Sequence, residues 1–388
     1  MQLKNISSFL GQDLDYVNST QIQITNGLYA NISDSDKAID CQGLVLIPGL
    51  INCHTHIGDS IAKDISLQVT VDQKIHPVIG IKQKILSKTK PEHLVSFMVN
   101  TCNSMLRKGT TTFVDFREGG LEGLNLLRQA LQSTPVHCVV LGRFPHYHDS
   151  TQIKQNESFS QPLESEFNEI VESSDGIGVS GTNENSDSML QHFSKSNKLK
   201  AIHAAETIQS AEKSICLTDK TETQRAMNLK PDFLVHMTHA TTSDFNLAAT
   251  KTRGIVVCPR ANAALAEGIP DVIAMLDAGC CVGIGTDNIM INSPDMFREM
   301  DYLWKVTMGI HKHHILPKDI LKMATVNAGM ILGRNIGSIQ PGMIADGIFI
   351  EKHSIDLEPM LDPHASVVHR ASESSIRAIM IQGEIVTW

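Results

Sequence analysis

The triplet His54-Thr55-His56 sets two imidazoles two residues apart. In an extended chain such residues point to the same side, so both rings can face one ion. A third histidine, His203, and a carboxylate, Asp287, stand far along the chain, each at the end of a short apolar run. Three imidazoles and a carboxylate suit one borderline divalent cation, Zn²⁺ first and Fe²⁺ second. Taken singly, a histidine at a strand end is a hydrogen-bonded structural residue and an Asp after a strand is a helix N-cap. The joint occurrence of His54, His56, His203 and Asp287 at predicted strand ends is what argues for ligation. Glu206 follows His203 by three residues, which puts both on one side if the strand gives way to a helical turn. A carboxylate there can carry a proton to a leaving group. The alternative is a solvated Glu in a helix's first turn, favoured by the dipole. His236-Met237-Thr238-His239 offers one more imidazole. His239, the later of the pair, is expected to reach the metal site, with His236 a core or nearby supporting histidine.

These side chains need elements to position them. Strand candidates are Val45 to Asn52, Thr110 to Phe116, Val136 to Leu141, Gly176 to Ser180, Lys200 to His203, Phe233 to His236, Gly254 to Cys258 and Val282 to Thr286. Helical stretches separate most of them. One runs from Pro91 to Lys108, with Leu94, Met98, Cys102 and Met105 at spacings of three and four and Gly109 after it. Repeated strand-helix units imply a parallel barrel, and barrel enzymes place chemistry at strand C-termini. The two ends of the chain read differently, as short strands and turns with a hairpin signal at Asn26-Gly27. Termini tend to lie close together. The expected fold is α/β: a (β/α)₈ TIM-like barrel over residues 47–339, with a small β-sandwich built from residues 1–46 and 340–388.

Bulk composition bounds the rest. With 388 residues, 41% hydrophobic and 19% charged, the profile is that of a globular chain of one large and one smaller domain. A formal net charge of -9 argues against a nucleic-acid or anionic-membrane partner. No apolar run is long enough to cross a bilayer, and the first residues carry no apolar signal core. The eight cysteines are scattered without a CxxC pair, so a reduced, cytoplasmic protein is expected, with homo-oligomer formation left open. His311, His313 and His314 read as the polar face of a helix.

At this point the motifs resemble a family. Ile47-Pro48-Gly49-Leu50-Ile51-Asn52-Cys53-His54-Thr55-His56 is similar to the PGLINxHTH opening of the amidohydrolase superfamily. His203-Ala204-Ala205-Glu206 resembles its HxxE element, Val257-Cys258-Pro259-Arg260-Ala261-Asn262 its CPxSN element, and Gly285-Thr286-Asp287 its GTD element. Gly337 through Asp346 resembles the return into the small β domain, and Asp362-Pro363 through Gly383 the closing segment. Within the superfamily the chain resembles the cytosine deaminase, S-adenosylhomocysteine deaminase and chlorohydrolase group. The resemblance implies a mononuclear site held by His54, His56, His203 and Asp287. It implies that Asp287 takes a proton from the attacking water, that Glu206 shuttles it to the substrate, and that His239 orients the water. Other branches carry a modified Lys at the fourth strand, and here Val179 to Glu184 contains none.

Two features depart from the pattern. Ala261 replaces the usual Ser, preceded by Arg260, and Arg117 lies in an unusual Asp115-to-Gly120 segment. A guanidinium grips carboxylate or phosphate through two parallel hydrogen bonds. One of the two arginines is therefore expected to read an acidic group on a small-molecule substrate, unless both form structural ion pairs with Glu118 or Glu184. Asn183 and Glu184, after the fourth strand, and His146, after the third, are further candidates for substrate contact. The expected reaction is hydrolytic deamination of an amino-substituted purine, pyrimidine or related heterocycle. The rivals are hydrolysis of another C–N or C–Cl bond, as in a cyclic amide or triazine, and a non-catalytic relative of the fold.

Overall fold

The computed structural model describes residues 1–32, 37–65, 68–312 and 314–386. Its larger sheet is a curled barrel of parallel strands, each beside its neighbour in sequence. The strands are Leu50–His56, Thr110–Arg117, His137–Gly142, Gly176–Val179, Leu199–Ala204, Phe233–His236, Gly254–Val257 and Val282–Ile284. Strands such as Phe233–His236 and Gly254–Val257 are buried throughout. Barrel strands packed on both faces read as apolar runs rather than alternations for this reason.

The eighth strand breaks after Ile284 and resumes as Asp287–Asn288, which pairs in parallel with Thr55 and His56 of the first strand. That pairing closes the barrel. Gly285 makes it possible: a Cβ there would stand 2.6 Å from His54 Cβ and 2.8 Å from its backbone nitrogen.

The apolar run expected as one strand from Val45 is two. Leu44–Pro48 belongs to the second sheet and Leu50–His56 opens the barrel. Between them, a Cβ on Gly49 would meet Thr111 Oγ1 at 2.1 Å, so the chain passes between the sheets where only glycine fits. The second sheet unites both ends of the chain. Gly347–Glu351 pairs antiparallel with Leu44–Pro48, which in turn lies beside Gln2–Leu10. Asp15–Thr25 and Leu28–Ala30 form the expected hairpin, with Asn26 and Gly27 both at positive φ, 50° and 76°. The final strands are Ile376–Ile381 and Glu384–Val386, and residues 387–388 lie outside the described ones.

The helix Pro91–Arg107 buries Met98, Cys102 and Met105 against the barrel. The long connection that precedes it carries two short helices, Val71–Ile75 and Ile81–Leu86, which roof the barrel mouth. His311 ends the helix Met296–His311, His314 is exposed beyond it, and His313 lies outside the described residues. Among the described residues no helix is long and apolar enough to cross a membrane.

Candidate active site

The first barrel strand ends in His54 and His56, the fifth carries His203, and Asp287 stands where the eighth meets the first. The structure brings these four together. His54 Nε2 lies 3.3 Å from Asp287 Oδ1, and His56 Nε2 lies 3.6 Å from the same oxygen. The rings of His54 and His203 are 4.8 Å apart. All four side chains are buried.

Backbone carbonyls decide which ring nitrogens face inward. His203 Nδ1 donates to the Val179 carbonyl at 2.8 Å, and His56 Nδ1 to the Phe116 carbonyl at 3.2 Å. A carbonyl oxygen only accepts, so Nδ1 carries the proton in both rings and Nε2 keeps its lone pair. Glu118 Oε1 stands 3.1 Å from His56 Nδ1 and braces the same ring. Burial pushes His54 down to about 3 and His203 well below the usual imidazole range. Both are therefore neutral at physiological pH, the form that binds metal. Burial alone would raise Asp287, but the His54 ring against it pulls the carboxyl well below its ordinary value.

The cluster is short of partners. Both nitrogens of His54, Asp287 Oδ2, His236 Nε2 and Glu206 Oε1 are buried without a hydrogen bond. A buried polar atom left in that state costs about 1–3 kcal/mol. A divalent cation among neutral imidazoles and a carboxylate would answer this deficit, so the donor set fits a metal.

Two further groups complete the cluster. Glu206 Oε2 lies 3.6 Å from His236 Nε2, and single ligand atoms of Glu206, His236 and Asp287 fall within 4.8 Å of one another. Burial pushes Glu206 up to about 7. The histidine here is His236, which corrects the expectation for His239. The strand ends at His236, and His236 and Met237 both adopt left-handed backbone, φ 72° and 55°. The chain turns away at once. His239 is carried off to donate from Nε2 to the Glu267 carbonyl at 2.7 Å.

Three expected substrate contacts are also corrected. Arg117 is 5% exposed and wedged under Gly58, with Nε donating to the Glu118 carbonyl and its guanidinium between Asp115 and Glu118. Arg260 is paired with Glu299 at 3.3 Å and donates to the Ser293 carbonyl. Neither lines the cavity beside the cluster. Each is an internal ion pair instead. His146 turns outward to Glu166, 2.8 Å away. Asn183 and Glu184 do line the cavity. We expect Arg117→Met and Arg260→Met to leave KM essentially unchanged. Arg117→Met should still cost about 3–5 kcal/mol of stability, because it strands buried carboxylates. Thermal denaturation beside steady-state kinetics checks both halves.

Sequence reasoning missed Arg143, Lys82 and Glu222, all on the cavity wall. Arg143 follows the third strand immediately, the position barrel chemistry favours, and that signal was available. Lys82 comes from a roof helix and Glu222 from the first turn of a five-residue helix, where nothing in the residue pattern marks them.

The amidohydrolase family model matches residues 45–386. A putative aminohydrolase of Methanothermobacter thermautotrophicus is 34% identical over 371 residues, covering 94% of this chain and 93% of its own. A 5-methylthioadenosine/S-adenosylhomocysteine deaminase of Acetivibrio thermocellus is 27% identical, covering 91% and 83% respectively. The crystal structure of an atrazine chlorohydrolase from Arthrobacter aurescens TC1, complexed with zinc, superposes with a TM-score of 0.84. It spans 99% of this chain and 94% of that one at 16% identity, a likeness of fold. With the family model running from the end of the N-terminal strands to the last described residue, the chain belongs to the amidohydrolase family.

Proposed function

We propose that the protein is a metal-dependent aminohydrolase, which replaces an exocyclic amino group of a purine, pyrimidine or related heterocycle by oxygen and releases ammonia. The observation that carries this reading is the meeting of Glu206, His236 and Asp287 beside the histidine cluster. His54, His56, His203 and Asp287 would hold one divalent cation, Zn²⁺ before Fe²⁺. When bound, it supplies acidity to a water at neutral pH and polarises the carbon under attack.

The chain's own groups do the remaining work. Asp287 Oδ2, which has no protein partner, accepts a proton from the attacking water. Glu206 passes a proton to the departing nitrogen. A carboxyl raised to about 7 is poised both to take and to give one. His236 Nε2, buried without a partner beside Glu206, faces the cluster and orients the attacking water, while its Nδ1 donates to Asn262 Oδ1 at 3.4 Å. The short roof helices contribute Val71, Asp72, Ile75 and Lys82 to the cavity wall. The end of the fourth strand offers no Lys, which supports one metal rather than two.

The relatives named above as an aminohydrolase and a deaminase favour C–N cleavage. The chlorohydrolase neighbour keeps C–Cl cleavage as the rival, on likeness of fold alone. The free cysteines suit a reducing, cytoplasmic setting. The test is a panel of amino-heterocycles and chlorinated triazines, offered to protein loaded separately with Zn²⁺, Fe²⁺ and Mn²⁺. Ammonia should be released from at least one heterocycle. Chloride release alone, or silence across every metal, would refute the proposal.

A further inference from the structure

Beside the roof helix Val71–Ile75 lies a second cavity, which shares Val71, Asp72 and Thr207 with the catalytic one. Ala264 to Glu267 form another part of its wall, and it holds about 530 Å³, room for more than a single ion. The two cavities thus meet at the residue that follows Glu206. A substrate whose ring lies against Glu206 has space next to it for a substituent.

Lys74 lines this second cavity and is only 3% exposed. Among the described residues its ammonium has neither a hydrogen-bond acceptor nor a carboxylate partner. Burial lowers its pKa below the usual ammonium range, and no neighbouring charge offsets that. Other buried cations are provided for. Lys82 lies 2.6 Å from Glu118, Arg225 2.8 Å from Asp187 and Arg143 3.2 Å from Glu118. A buried charge without a counter-charge is costly. The two carboxylates on the wall do not relieve it. Asp72 is exposed and solvated, and the charges that act on half-buried Glu267 are His239 and Asp72 rather than Lys74.

Thr207 supplies a second donor. Its Oγ1 accepts from the Ser210 N–H at 2.9 Å, but its hydroxyl proton has no acceptor among the described residues. An apolar substituent would leave both donors unpaired, and a cationic one would be repelled by the ammonium. Anionic oxygen matches them, since an ammonium binds carboxylate or phosphate as a point charge.

We propose that the second cavity is a subsite for an acidic arm of the substrate, a carboxylate or phosphate, held by Lys74 and Thr207. The arm's attachment to a heterocycle rests on the aminohydrolase reading. Lys74 thereby takes the role expected of Arg117 or Arg260.

The experiment compares Zn²⁺-loaded wild type, Lys74→Met and Lys74→Arg, each as the full chain. Melting temperature is followed with adenosine, adenosine 5′-phosphate and inorganic phosphate. KM is measured by ammonia release for amino-heterocycles supplied in pairs, with and without an acidic arm. Met keeps most of the buried stem and removes the charge, so Lys74→Met without ligand should melt at or above wild type. Adenosine 5′-phosphate should raise the melting temperature of wild type more than that of Lys74→Met, and adenosine should shift the two alike. In a pair that is turned over, the acidic member should have a KM lower by about 10- to 100-fold, the worth of a hydrogen bond to a charged group. Lys74→Met should abolish that advantage and Lys74→Arg keep part of it. Equal shifts of wild type and Lys74→Met by adenosine 5′-phosphate overturn the proposal, as does an acidic member whose KM ignores the substitution. A shift through Lys74 by inorganic phosphate alone would make the cavity a site for a free anion and overturn the substrate subsite. A fall of several degrees in the melting temperature of unliganded Lys74→Met would reveal a structural partner and overturn it too. Should no compound release ammonia, the aminohydrolase reading fails while the melting shifts still decide this one.

Discussion

Glu206→Gln should lower kcat on the order of 10²- to 10⁴-fold, the usual contribution of a positioned proton carrier, while the protein keeps its metal. The side chain stands 3.6 Å from His236, with one oxygen buried and unpaired. The replacement keeps size and polarity and removes only the ability to give and take a proton. His54, His56, His203 and Asp287 are untouched by it, so metal content measured by elemental analysis should match wild type. Loss of metal in step with loss of turnover would mean that Glu206 is a ligand. Retained turnover would remove it from the reaction altogether.

Glu222→Ala should destabilise the protein by about 2–4 kcal/mol, with a fall in kcat beside it. Glu222 is 4% exposed and gathers four donors: the Ala205 N–H and Ser210 Oγ at 2.8 Å, Thr182 Oγ1 at 3.2 Å and Asn183 Nδ2 at 3.3 Å. Ala205 sits in left-handed backbone, φ 48°, a conformation a side-chain-bearing residue adopts only when something holds it there. Glu222 holds its N–H and the His239 N–H holds its carbonyl at 2.9 Å, and the next residue is Glu206. Removing the carboxylate leaves buried donors unpaired and frees the backbone that aims the proton carrier. Denaturant unfolding gives the stability, and kcat gives the aim. A stability within about 0.5 kcal/mol of wild type would show the network to be incidental.

Much of this was legible in the residues. His54 and His56 two apart, His203 and Asp287 at later strand ends, and Glu206 three beyond His203 all lie where the barrel pattern puts them. The failures have physical causes. Val45 to Asn52 is one apolar run shared by two sheets, and apolarity does not say which sheet a residue serves. His236 and His239 exchanged places because a positive φ at a non-glycine residue leaves no mark in the sequence. Arg117 and Arg143 both stand at strand ends, but one lies under Gly58 and the other opens on the cavity. That outcome depends on partners from distant segments. Glu222 is invisible for the same reason, since its donors come from three separate stretches of chain.

The seam where Asp287–Asn288 joins Thr55 and His56 makes the ligand-bearing ends of the barrel its first and last staves. A cation clasped there would act as a hoop around the whole cask, reinforcing a seam otherwise closed by two residues of strand pairing and the Asn52–Thr286 hydrogen bonds. Because the unfolded chain cannot assemble such a clasp, occupancy would add about 4 kcal/mol of resistance to unfolding when the free ion exceeds its dissociation constant a thousandfold. Cellular supply of the ion would then govern how long the protein lasts, as well as how fast it turns over.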